Sequence, residues 1–209
     1  MLYRNTVKAL FRWLQDTSKK YKADFLAHTG EKIMQYVGNR PKFIVSSVAR
    51  LTEQKFYFLK RSPEAFEKML ARLNEVEGIF MLLGTGDPDY EEFFREMSYK
   101  HKNFIFTNGQ SEDLIDSMYL ETDLYFMPSL FEPCGISQML AMRNGNPCLV
   151  HHTGGLKDTV DHMKTGFAFA GKTYDEQIKN MVSSFDEALT IWENDKPTWK
   201  KIQANAKKA

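Results

Sequence analysis

Two cations, Arg50 and Lys55, follow a short apolar run at residues 43–49 (FIVSSVA). The β-branched residues in that run predict a buried strand. Arginine offers a planar fork of donors and lysine a compact point charge, the two kinds of partner a diphosphate needs. A solvated surface loop would carry the same residue types, so their place at the carboxyl end of a strand is what favours function. A second stretch, residues 129–138 (SLFEPCGISQ), also follows a predicted strand. Gly135 permits a tight turn and close approach of a ligand to the backbone. The helix predicted from Ile136 presents free N–H groups and the positive end of its dipole, a ready site for a phosphate. Glu132 stands just before it. A carboxylate there is unfavourable unless it binds something else, such as sugar hydroxyls; the plainer alternative is that it caps a helix or forms a salt bridge.

Glycine loops follow other strands. Thr153-Gly154-Gly155 opens a predicted helix, again suggesting approach of backbone to ligand, and Gly84-Thr85-Gly86 ends a predicted strand. The latter lacks the full dinucleotide pattern of glycines and is weak alone. Three such loops and two cations at one edge of a sheet are harder to explain as plain turns.

The elements that place these residues alternate. Strands are predicted at 43–49, 79–83, 103–107, 123–128, 147–150 and 167–170. Helices are predicted at 63–76, from Asp87 or Asp89 to His101, and at 111–120, 136–143, 155–162 and 175–194, with a short one after Pro197. Such alternation predicts an α/β fold, a parallel sheet with helices on both faces, with ligands at the carboxyl ends of its strands. The first 40 residues are polar and mixed, with helical spacing near 7–14 and 31–37 and no clear strand. They read as a helical or irregular lead-in (1–40) to a domain over 41–209.

Composition narrows the classes. The chain has 209 residues, 43% of them hydrophobic, and 28 Lys plus Arg against 27 Asp plus Glu. A formal charge of +1 argues against nucleic acid as partner. An anion must then be held by a few placed cations. No apolar run approaches the roughly 18 residues of a membrane helix, and no signal peptide is evident. Cys134 and Cys148 fit neither a metal site nor a disulfide framework, and both read as reduced thiols in a cytoplasmic protein. Asp87-Pro88-Asp89 spells the D-x-D metal motif of another fold, yet helix capping accounts for it better. Neighbouring His151 and His152 point apart on an extended segment, so no shared metal is expected. Cys134 has no base at a readable spacing to make it a nucleophile.

Taken in order, these motifs resemble the glycogen and starch synthase family of retaining GT-B glycosyltransferases. Residues 50–55 within VARLTEQK resemble its R-L-x-x-Q-K segment, and residues 84–88 (GTGDP) its G-x-G-[DE]-P loop. Residues 129–138 with 141–145 resemble its S-x-F-E-P-C-G-L-x-Q…G stretch, and residues 153–160 (TGGLKDTV) its T-G-G-L-x-D-T-V. The resemblance covers about residues 45–160 and implies the C-terminal, Rossmann-like, donor-binding half of a two-domain enzyme. By matching position, the resemblance implies that Arg50 and Lys55 hold the donor diphosphate, Glu132 contacts the transferred glucose, the backbone at Gly135, Ile136 and Ser137 binds phosphate or sugar oxygens, and Gly84 and Gly86 shape the nucleotide pocket. The implied reaction is retaining transfer of glucose from ADP-glucose or UDP-glucose to an α-1,4-glucan, with no metal or other cofactor. The family's catalytic histidine and acceptor groove belong to the other half. The chain's last residues read as interrupted within a helix that in the family crosses to the other domain. Little or no synthesis is therefore expected of this piece alone, and an exposed cleft face is left for dimer contacts.

Three positions depart from the pattern. Phe56 stands where many relatives have Gly, Leu140 where the broader GT-B pattern has a second Glu, and residues 108–110 lack an aromatic found near the base in some relatives. Two alternatives stay open: another hexosyltransferase of this fold, using sucrose or a lipid-linked acceptor, and a module that binds a nucleotide sugar or glucan without turnover.

Overall fold

The computed structural model describes residues 2–17 and 23–209. In chain order the elements are α1 (Leu2–Thr17), α2 (Ala23–Gln35), β1 (Phe43–Val48), α3 (Glu53–Arg61), α4 (Pro63–Glu75), β2 (Gly78–Gly84), α5 (Pro88–Lys100) and β3 (Phe104–Asn108). They continue with α6 (Glu112–Glu121), β4 (Leu124–Met127), α7 (Ser137–Arg143), β5 (Cys148–His151), α8 (Leu156–Thr159), β6 (Phe167–Phe169), α9 (Tyr174–Asn194) and α10 (Lys196–Ala206).

The strands form one parallel sheet in the order β3-β2-β1-β4-β5-β6. The chain starts at the centre, winds outward through β2 to β3, then crosses β1 to build the other side. Strands buried on both faces need continuous apolar runs, and every residue of β2 is buried. Alternation along β4 shows the two layers. The Phe126 ring meets Phe80, which meets Phe66 of α4. Its neighbour Tyr125 lies against Tyr119 of α6, in a second cluster with Met142 of α7 and Val150. Helices thus cover both faces, as the alternation predicts.

The first two helices share the main core. Leu10, Trp13, Phe25 and Ile33 all belong to it, α1 packs on α6 and α2 on β3. Buried Lys32 donates to the carbonyls of His101 and Phe104, both at 2.8 Å, and to that of Ser98, tying α2 to the end of α5. The ammonium satisfies carbonyls that a helix end leaves without partners.

Two elements differ from the sequence expectation. Residues 53–61 form α3, where FYFLK shows no helical spacing; burial of Phe56, Phe58 and Leu59 imposes it. The helix expected over 155–162 is only the short α8, because Val160 is extended and Asp161 N is held by Thr165 Oγ1 at 2.9 Å.

Candidate functional site

The sheet changes direction of growth between β1 and β4, where open α/β sheets bind ligands. These strands pair at Val45–Leu124 and Ser46–Tyr125. Beyond that the Tyr125 hydroxyl stands in for the ladder, accepting from Val48 N at 3.2 Å and donating to Val48 O at 3.0 Å. The strand ends part around it.

Two cavities open at this edge, and Arg50 lines both. The smaller, about 230 Å³, lies between β1, α3 and β4, with Arg50, Lys55, Ser129 and Ser137 among its walls. The larger, about 430 Å³, lies between the ends of β1, β2 and β3 and the start of α6, with Gly84, Thr85, Gln110 and Glu112 among its walls. The guanidinium is exposed and available, whereas the Lys55 side chain is 18% exposed.

Lys55 is ion-paired to Glu132, whose side chain is 7% exposed. Of the alternatives open for Glu132, the salt bridge is realised. Further bonds fix the pair from both sides. Leu130 N donates to Gln54 O at 2.8 Å, and Gln54 Nε2 donates to Phe131 O at 2.9 Å. Two charges this far from water need each other, and the backbone braces supply the fixed geometry.

The Thr153-Gly154-Gly155 turn sits behind this loop. Gly155 N donates to Glu132 O at 2.8 Å. Gly154 has φ +47, and a Cβ there would collide with the Glu132 carbonyl oxygen. These glycines bring backbone to backbone and set Glu132; neither they nor Thr153 line the two cavities.

Gly135, at φ +77, turns the chain into α7, with Ile136 as N-cap. Ser137 faces the smaller cavity, while Ile136 is exposed. Gln138 locks the turn by donating to Gly135 O at 2.8 Å. Gly84 reaches the larger cavity, and Gly86 instead bridges to Leu51. Arg50, Lys55, Gly84, Glu132 and Ser137 are therefore gathered at one edge, with Gly86, Ile136 and the 153–155 turn beside or behind it.

Asp87 is the N-cap of α5, accepting from Asp89 N at 3.0 Å, as capping chemistry predicted. Sequence reasoning missed Glu91. Its carboxylate accepts from Thr85 Oγ1 at 2.6 Å, Gly86 N at 3.0 Å and Asn108 Nδ2 at 3.0 Å, joining the loop after β2 to the end of β3 at the larger cavity. Burial opposes its ionisation, but these bonds outweigh it and hold the carboxyl below its ordinary value. A carboxylate in the first turn after G-T-G-D-P was the available signal. Phe56, the departure from Gly, is buried at 1% exposure with its ring edge-on to Phe94.

A six-stranded parallel sheet with helices on both faces and two neighbouring cavities at its topological switch is the Rossmann-like α/β fold of a GT-B glycosyltransferase domain. The family model for glycosyl transferases group 1 matches residues 30–209, and the chain belongs to that family. It is 34% identical over 179 residues to a glycogen synthase of Lachnospira eligens, covering 82% of this chain and 35% of that protein. It is 37% identical over 169 residues to a glycogen synthase of Streptococcus sanguinis, covering 78% and 34%. Among solved structures it resembles the catalytic domain of starch synthase IV from Arabidopsis thaliana bound to ADP and acarbose. There the TM-score is 0.69 and the identity 26%, over 88% of this chain and 39% of that one. Anabaena HepE in complex with UDP and glucose shares the fold at 19% identity and TM-score 0.64, over 87% and 46%. The chain thus spans about a third of the length of the curated relatives, 35% and 34%. Among the described residues, no helix is long and apolar enough to cross a membrane.

Proposed function

We propose that this chain is the donor-binding part of a cytoplasmic retaining glucosyltransferase that moves glucose from a nucleoside diphosphate sugar, ADP-glucose first, to an α-1,4-glucan. The observation that carries this is the placement of Arg50, Lys55 and Ser137 around one cavity at the switch point, beside a larger cavity of nucleoside size. Motif matches to glycogen synthases and the ADP in the related starch synthase structure support glucose and adenine.

The chemical difficulty is charge accumulating on the departing diphosphate. Arg50 and Lys55 meet that charge, and the backbone at Gly135, Ile136 and Ser137 adds donors without reorganisation. A diphosphate beside Lys55 competes with Glu132 for the ammonium. That releases a carboxylate to accept hydroxyls of the transferred glucose. This chemistry requires no metal of its own. The family resemblance assigns the acceptor groove to the other half of such enzymes, and on this reading the 209 residues tested alone bind donor and transfer little.

Calorimetric titration with ADP-glucose, UDP-glucose and ADP tests the assignment. Saturable binding of ADP-glucose and ADP, tighter than UDP-glucose, is expected. Absence of binding by all three contradicts it. Binding without transfer, when the remainder of a related synthase is supplied, would instead mark a module that holds the donor only.

A further inference from the structure

Ser129 follows β4 and Pro128, and is 0% exposed. Its carbonyl is tied to His151 Nδ1 at 3.0 Å, which fixes the residue. Among the described residues, its hydroxyl has no hydrogen-bond partner. A buried hydroxyl without a partner is unfavourable, and native proteins keep few of them. This one belongs to a residue in the wall of the smaller cavity, with Arg50, Lys55 and Ser137. Ser46 is also buried with an unpaired hydroxyl, but it lines neither cavity at this edge.

We propose that the Ser129 hydroxyl is a ligand-binding group, donating its proton in a hydrogen bond to the terminal phosphate of a nucleoside diphosphate. The inference rests on the donor-site assignment above. The direction of donation follows from the ligand, because a phosphate oxygen offers lone pairs to a hydroxyl that has no other acceptor. The choice of phosphate follows from the cavities. A nucleoside in the larger one brings its first phosphate to Arg50, which among the described residues is the charged one that lines both. The second phosphate then enters the smaller cavity, where Lys55 and Ser129 are. The hydroxyl thus reads the length of the phosphate chain and distinguishes a diphosphate from a monophosphate.

An unpartnered group is unusual among binding residues in that its removal strips nothing from the fold. Replacing it by an apolar atom leaves no protein donor or acceptor stranded, so stability is unchanged or raised while binding falls. A residue with a structural role shows the opposite.

The test is calorimetric titration of ADP and of AMP into the full chain and into Ser129→Ala and Ser129→Cys, with thermal melts of all three. Wild-type binding of ADP is expected, with about ten-fold weaker ADP affinity in Ser129→Ala, an intermediate value in Ser129→Cys and AMP affinity unchanged. The melting temperature of Ser129→Ala is expected to equal or exceed that of the wild type. Equal ADP affinity in wild type and Ser129→Ala overturns the role of Ser129 and leaves the donor site standing. A clear drop in the melting temperature shows that the hydroxyl has a structural partner and also overturns it. Failure of the wild type to bind ADP overturns both assignments.

Discussion

Lys55 and Glu132 form an ion pair at the point where the first turn of α3 meets the loop after β4. Each is a residue that the motif matches assign to the donor, one to its phosphate and one to its sugar. Their contact means that removing either one leaves the other charge sparsely solvated. Replacing Lys55 by Met is expected to lower stability by about 1–3 kcal/mol, with most of that recovered in the double variant with Glu132→Gln. Urea unfolding of the four members of this cycle measures it. Strictly additive effects would show that the pair has no energetic coupling.

Gly154 supports Glu132 from behind. Ala at that position must hold φ +47 and push against the Glu132 carbonyl. Gly154→Ala is expected to cost about 1–3 kcal/mol and, on the proposed assignment of Glu132 to the glucose, to weaken ADP-glucose more than ADP. Melting and titration of the same preparation separate the two effects.

Phe56 fills core volume against Phe94. Phe56→Gly is expected to destabilise by about 3–5 kcal/mol. A loss below about 1 kcal/mol would show that neighbouring side chains close the space.

Acidification acts through several shifted groups, among them His101 and Glu91, which are half-buried, and His151, which is buried. Burial pulls His101 and His151 below the ordinary 6.5, so the unfolded chain binds protons more readily and stability falls as pH drops through that value. Glu91 is depressed below 4.5, and its contribution is present above that value and lost as pH falls further. Urea midpoints should decline from pH 7.5 to 5.5 through the histidines, and again below about 4.5 through Glu91. In Glu91→Gln the second decline should shrink, while the first persists.

Much of this was legible in the residues. A run rich in β-branched residues marked β1, an apolar run marked β2, and cations and glycines at strand ends marked the edge where both cavities lie. The helix at residues 53–61 was hidden because its aromatics are spaced by what they bury, not by helical period. What the 153–155 turn touches was hidden for a related reason. Sequence shows that glycine permits close approach, but not whether the approaching group is a ligand or, as here, the Glu132 backbone. Pairing of Lys55 with Glu132 joins residues 77 apart and needs the sheet order to be seen. Glu91 looked like one more acidic residue at a helix start, and its three donors come from the loop after β2 and from the end of β3.

The most direct measurement is a crystal structure of the chain soaked with ADP. The donor-site assignment predicts the nucleoside in the larger cavity. The diphosphate should lie within hydrogen-bond reach of the Arg50 guanidinium, the Lys55 ammonium and the backbone at Gly135–Ser137, with the Lys55–Glu132 contact broken or lengthened. ADP bound elsewhere, or density at this edge that leaves Arg50 and Lys55 without a phosphate oxygen, would contradict it.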